Sequence, residues 1–136
     1  MTQQASAPSL RTYLGMWLRW VRGRQETGYD KMLLLATPFP VRLDAYLLRY
    51  PQGSQIPPHT DPVAAGRHYR LNVVVRQARE GGEFVCRGAP WRWGRVALFR
   101  PDRSEHAVTR VVSGQRYVLS VGWVVGREPT GDAAQT

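Results

Sequence analysis

The hydrophobic period of this chain changes once. From Ser9 the apolar positions Leu10, Tyr13, Leu14, Trp17 and Val21 fall at i, i+3, i+4, i+7 and i+11. That spacing lines one face of a helix. It predicts a helix over 9–24, with Ser9 as N-cap and Gly23 near its end. Residues 1–8, MTQQASAP, have no such period and read as a loose tail. Beyond Pro40 the period becomes two. Strands are predicted over 41–50 (VRLDAYLLRY), 67–77, 82–88, 92–100, 106–112 and 116–125, with turn stretches such as PQGS, REGG and VSGQ between them. Short strands at about ten-residue spacing, with no helix between them, indicate an antiparallel sandwich or barrel. The expectation is one domain over 1–136, mainly β, with a core over 41–125. A basic amphipathic helix can lie on a membrane, but more often covers the open face of a sheet; the second is expected here.

Composition narrows the chemistry. A chain of 136 residues suits one domain and one core. Cys86 is the single cysteine, which excludes disulfide frameworks and cysteine zinc sites. A metal would need His, Asp or Glu, and the histidines are His59, His68 and His106. The net charge is +9, and 18 of the 19 basic residues are arginine. Arginine suits phosphate and carboxylate recognition, so a nucleic acid or an acidic substrate stays open. The arginines are spread along the chain, however, as on a solvated basic surface. The apolar stretch YLGMWLRWV is broken by Arg19 and too short to span a bilayer. It does not read as a signal peptide, so the expectation is a cytoplasmic protein with no membrane partner.

Within IPPHTDP, residues 56–62, His59 and Asp61 are two apart. On an extended chain they share a face. His106 opens a later strand, 45 residues beyond Asp61. Two histidines and a carboxylate make the facial triad of non-haem Fe(II) oxygenases, which leaves positions open on the metal. The alternative is unrelated polar residues at strand ends. Arg116 follows His106 by ten residues. A dicarboxylate chelated at one end needs a cation at the other, and arginine grips a carboxylate with paired hydrogen bonds. If 106–112 and 116–125 form a hairpin, a three-residue loop or bulge at 113–115 would bring Arg116 to the face of His106; a two-residue loop would not. Other residues read more plainly. His68 is a surface or substrate-facing histidine, Cys86 a buried strand residue, and Glu105 points away from His106. In WRWGR, residues 91–95, aromatics alternate with arginines as in single-strand nucleic-acid binders. Packing against the N-terminal helix is the preferred reading. Arg67, Arg70 and Arg76 are placed near a mouth, where they could recruit an anion.

Four pieces, YPQGSQIPPHTD (50–61), GGEFVC (81–86), ALFRPDRSEHAV (97–108) and VVSGQRYVLSVGW (111–123), occur in an order that resembles the 2-oxoglutarate and Fe(II)-dependent dioxygenases, in particular their prolyl-hydroxylase-like branch. The resemblance covers roughly 41–125. It implies a double-stranded β-helix, or jelly roll, with the helix packed outside it. It implies Fe(II) bound by His59, Asp61 and His106, and Arg116 on the far carboxylate of 2-oxoglutarate. By the same resemblance Tyr50 faces cosubstrate or substrate, and Asn72 touches the cosubstrate. Many relatives have a serine two residues after the arginine; here that residue is Val118, and Ser120 is the next hydroxyl on that face.

The activity implied is hydroxylation of a C–H bond, coupled to conversion of 2-oxoglutarate and O2 to succinate and CO2. The implied substrate is a peptidyl or free amino-acid side chain. Two alternatives stand beside it: oxidation of a nucleic-acid base, and a metal-binding jelly-roll module without turnover. The compact stretch from His59 to His106 implies an open mouth, or one completed by a partner.

Overall fold

The computed structural model describes residues 9–23, 27–38, 41–88 and 90–126. The expected tail over 1–8 lies outside them. One helix, α1 (Leu10–Met16), precedes twelve strands among these residues. They are β1 (Trp20–Arg22), β2 (Asp30–Thr37), β3 (Arg42–Tyr50), β4 (Ile56–His59), β5 (Arg67–Arg76) and β6 (Glu80–Gly81). Then come β7 (Phe84–Cys86), β8 (Trp91–Trp93), β9 (Val96–Phe99), β10 (His106–Val108), β11 (Val111–Ser113) and β12 (Arg116–Val125).

The strands form two unequal layers. The large sheet has the order β1-β2-β3-β12-β5-β9-β8 and is antiparallel throughout. The small layer holds β4-β10-β7 and the pair β11-β6. Val108 and Val111 from the small layer bury against Tyr50 and Val118 of the large sheet, with Tyr29 beside them. β12 runs through the middle of the large sheet, and its side chains alternate between buried and half-buried from Arg116 to Gly122. This is the period-two pattern of a strand with one face on a core.

The helix is shorter than its apolar period predicts. Ser9 is the N-cap, its hydroxyl accepting from Thr12 N. The helix ends at Met16, because Trp17 turns extended and Leu18 takes a positive φ of 54°. Trp17 then bridges Leu33, Leu18 N donates to Leu33 O, and β1 pairs with β2. Edge pairing with β2 satisfies this backbone, and so wins over helix propensity. α1 packs near β2 yet buries none of its residues; Leu10 and Leu14 stay exposed. β2 itself is hidden from a period-two reading, since Met32 to Leu35 is a continuous apolar run.

Three other expectations change. Residues 92–100 are two strands, β8 and β9, folded back at Gly94 and Arg95. β8 forms the edge opposite α1, so Trp91 and Trp93 do not pack on the helix and are 54% and 74% exposed. The hairpin of 106–112 with 116–125 does not form: β10 pairs with β4 and β7, and β11 pairs with β6. Gly114, at φ 81°, and Gln115 instead carry the chain from the small layer into the large sheet.

The Leu33–Leu35 run tests the register of β2. Leu33 is 1% exposed and Leu35 is 51% exposed, either side of a register shift. Leu33→Ala is expected to cost about 2–5 kcal/mol in urea unfolding. Leu35→Ala should stay within about 0.5 kcal/mol of wild type. Equal costs would contradict the register.

Candidate functional site

β4 and β10 bring the sequence triad together. His106 and His59 are direct partners across the strand pair, with ring centroids 4.3 Å apart. Asp61, just beyond β4, is held by its own N–H donating to Pro101 O at 2.7 Å. Its Oδ2 lies 3.6 Å from His59 Nε2 and 3.3 Å from His106 Nε2. Ligands about 2.1 Å from a metal and at right angles are about 3 Å apart, so these separations are close to those of three ligands sharing one face of a metal. One ligand atom from each residue lies within 4.8 Å of the others.

The donor chemistry also fits a metal. His59 Nδ1 is 2.8 Å from Pro57 O, and His106 Nδ1 is 2.9 Å from Ser104 O. A carbonyl only accepts, so each Nδ1 carries the proton and each Nε2 presents a lone pair. Such bonds fix the tautomer that a metal requires. Phe84 and Phe99 wall the site, with ring centroids 6.4 and 5.1 Å from that of His106. Glu105 is exposed beside Arg87 and takes no part, as expected.

A cavity of about 310 Å³ opens beside the triad, lined from both layers. Its floor is the inner face of the large sheet, and the register sets the rows. Tyr50 faces Arg116; Leu48 faces Val118; Tyr46 and Asn72 flank Ser120; Asp44 and Arg70 flank Gly122. Arg116 therefore meets the triad across the gap between layers, rather than along a hairpin. It is 3% exposed, its guanidinium lies 5.1 Å from the Tyr50 ring centroid, and its Nε has no hydrogen-bond partner. No carboxylate pairs with it among the described residues. Burial pulls this guanidinium below its ordinary pKa, and Tyr50 opposes the shift.

Tyr50 and Asn72 both line the cavity. Ser120 donates to Asn72 Oδ1 at 2.7 Å and accepts from Arg70 Nη1 at 2.9 Å. Arg70 also donates to Asp44 Oδ1 at 2.7 Å. The sequence placed Arg70 with Arg67 and Arg76 at a mouth; only Arg70 lines this cavity, while the other two are exposed. His68 lines this cavity too. Sequence reasoning missed Asp44, whose signal was its even-numbered spacing from Tyr50 along β3. Cys86 is half-buried on β7, and burial pushes its thiol pKa up.

Buried tyrosines give a pH test. Burial, then Asp44, pushes the Tyr46 phenol up to about 12 from 10.0. Burial raises Tyr50 as well, against the pull of Arg116. An unfolded phenol ionises near pH 10, so the folded state binds more protons above that pH. The stability these residues contribute is complete below pH 10 and falls as pH rises from 10 toward 12. In a phenolate absorbance titration, some of the six tyrosines should ionise only when the protein unfolds. Ionisation of all six together near pH 10 would contradict their burial.

Residues 45–125 match the 2OG-Fe(II) oxygenase superfamily, more than half of the chain. No curated protein matches it. Among solved structures, KdgF from Halomonas sp. is similar at 20% identity and TM-score 0.51, over 79% of this chain and 87% of that one. The cupin domain of Schizosaccharomyces pombe Cnp3 is similar at 10% identity and TM-score 0.54, over 79% and 69%. A viral collagen prolyl hydroxylase, vCPH of Paramecium Bursaria Chlorella virus-1 in complex with 2OG, is similar at 14% identity and TM-score 0.52, over 76% and 82%. At such identities the likeness is one of fold, and the fold is the jelly roll. The chain belongs to the 2OG-Fe(II) oxygenase superfamily, whose cofactors are Fe(II) and 2-oxoglutarate, and His59, Asp61 and His106 could bind the metal.

Proposed function

We propose that the protein is a 2-oxoglutarate-dependent hydroxylase of the prolyl-hydroxylase-like branch, acting on a C–H bond of a free or peptidyl amino-acid side chain. In this reading His59, Asp61 and His106 hold Fe(II), and Arg116 binds the far carboxylate of 2-oxoglutarate. One observation carries it: a buried arginine with no carboxylate partner among the described residues shares a cavity with two imidazoles whose Nε2 atoms are presented to the same point. A buried, uncompensated charge is costly. A dicarboxylate with one end at the metal would supply the missing anion. The likeness in fold to a collagen prolyl hydroxylase that holds 2OG supports the choice of branch.

Bound Fe(II) and 2-oxoglutarate supply O2 activation: decarboxylation yields succinate and CO2, one oxygen atom enters succinate, and the other enters the substrate C–H bond. The chain's own residues do the rest. Tyr50 keeps its proton and offers an O–H beside Arg116. Asn72 spends its carbonyl on Ser120, leaving its amide N–H groups for the cosubstrate. Ser120 is engaged by Arg70 and Asn72, so its hydroxyl serves the other end of the floor. Phe84 and Phe99 give the His106 side of the triad an apolar wall, while Asp61 stays open to solvent and substrate.

The test is anaerobic addition of Fe(II) and 2-oxoglutarate, read as the visible charge-transfer band of the chelate. Wild type should show the band and His106→Ala should lose it. Arg116→Ala should need roughly ten- to a hundred-fold more 2-oxoglutarate, the worth of a charged hydrogen bond. Absence of the band in wild type at saturating concentrations would overturn the reading.

A further inference from the structure

Among the described residues, two buried side-chain atoms have no hydrogen-bond partner: Arg116 Nε and His68 Nδ1. Both residues line the cavity. An orphaned buried polar atom in a native fold calls for a partner. Arg116 stands at one end of the floor and is accounted for by the cosubstrate. His68 stands at the other end, opposite Val124 in the register.

That far end is a built structure. Asp44 on β3 and Arg70 on β5 flank Gly122 of β12. The strands they come from are two sheet spacings apart, about 9.6 Å. Arg70 reaches Asp44 across β12 only because Gly122 has no side chain; a Cβ there would collide with the guanidinium. The guanidinium is fixed by Asp44, by Ser120 and by a 3.4 Å contact to His68 Nε2. A guanidinium has five N–H donors, so donors remain for a ligand. Because His68 Nε2 faces a donor, its ring proton lies on Nδ1, the orphaned atom. Burial, then Arg70, holds this histidine below the ordinary imidazole pKa and so neutral.

The unused groups at this end are thus donors. The cavity lining as a whole carries Lys31, Arg42, Arg70 and Arg116 against two acids, Asp44 and the triad's own Asp61, and Arg42 and Arg70 are the cations of the Gly122 end. Ser120 is four residues from Arg116, about 13 Å along the strand. A five-carbon diacid gripped at Arg116 stops short of Arg70. The cavity, about 310 Å³, is at the small end of the roughly 300–1,000 Å³ of ligand sites.

We propose that Arg70 and His68 bind an anionic group of the substrate, and that the substrate is therefore a small free acid, with its carboxylate at the Gly122 end and its reacting carbon toward the triad. This rests on the hydroxylase reading and narrows its substrate from a free or peptidyl side chain to a free acid. The experiment uses the Fe(II)-loaded protein, a panel of short-chain amino acids and of mono- and dicarboxylic acids, and the primary amide of each. Succinate release is the activity readout, and tryptophan quenching reports 2-oxoglutarate binding. At least one acid should stimulate succinate release, with its amide roughly tenfold weaker or worse. Arg70→Met should raise the KM for that acid roughly ten- to a hundred-fold, with a smaller change in kcat, and Arg70→Lys should recover part of the loss. Gly122→Ala keeps every charge but displaces the guanidinium, and should raise the KM in the same way. Amides equal to acids, stimulation by no acid, or an unchanged KM in both Arg70→Met and Gly122→Ala would overturn the inference while 2-oxoglutarate still binds. Failure of wild type to bind 2-oxoglutarate would remove the hydroxylase reading, and this inference with it.

Discussion

β12 is hydrogen-bonded along both edges, to β3 and to β5, over nearly its whole length. No other element could hold Arg116 where it is. A guanidinium at 3% exposure loses its hydration, and a flexible support would let it swing back to water. A strand paired on both sides cannot make that movement without breaking the sheet. The same strand sets the spacing of everything on the floor: Val118 is a fully buried apolar step, Ser120 a hydroxyl, Gly122 a gap. Four inward positions in sequence thus give a buried guanidinium, a divider, a hydrogen-bond relay and a passage for a neighbour's side chain.

The second half of the site belongs to the other layer. His59, Asp61 and His106 come from β4, the turn after it and β10, and meet the floor only because the small layer packs over it. Val108 and Val111 on one side and Tyr50 and Val118 on the other make that contact. The core and the site are therefore the same interface read at different rows. Main-chain acceptors hold the two imidazoles, and a backbone hydrogen bond holds the Asp61 main chain, as a metal site requires of its support.

Much of this was legible in the sequence. β3, β5 and β12 appear within a residue of their period-two patterns, because each has one face on the interior. The metal candidates could be read because only three histidines exist and two share the proper context. What failed was pairing. Arg116 was placed by a hairpin that does not form; β11 takes β6 instead, and alternation within a strand says nothing about which strand lies next to it. α1 was overextended because Trp17 and Val21 keep a helical spacing while their backbone is claimed by β2. The direction of Arg70 was hidden for another reason: it depends on a glycine 52 residues away, whose missing side chain only the register reveals.

The two prolines of IPPH carry a further consequence. β4 is the outer strand of its sheet, with β10 on one side and no strand on the other among the described residues. An open edge is a template on which a second chain can add. Pro57 and Pro58 are exposed and offer no N–H, so this edge lacks a donor that an added strand would need. The strand that delivers His59 is thereby a poor template for intermolecular pairing, and the Pro57 carbonyl is engaged by the imidazole. Two prolines thus disfavour strand addition at an edge where it would also disturb the bond that orients His59, a candidate metal ligand.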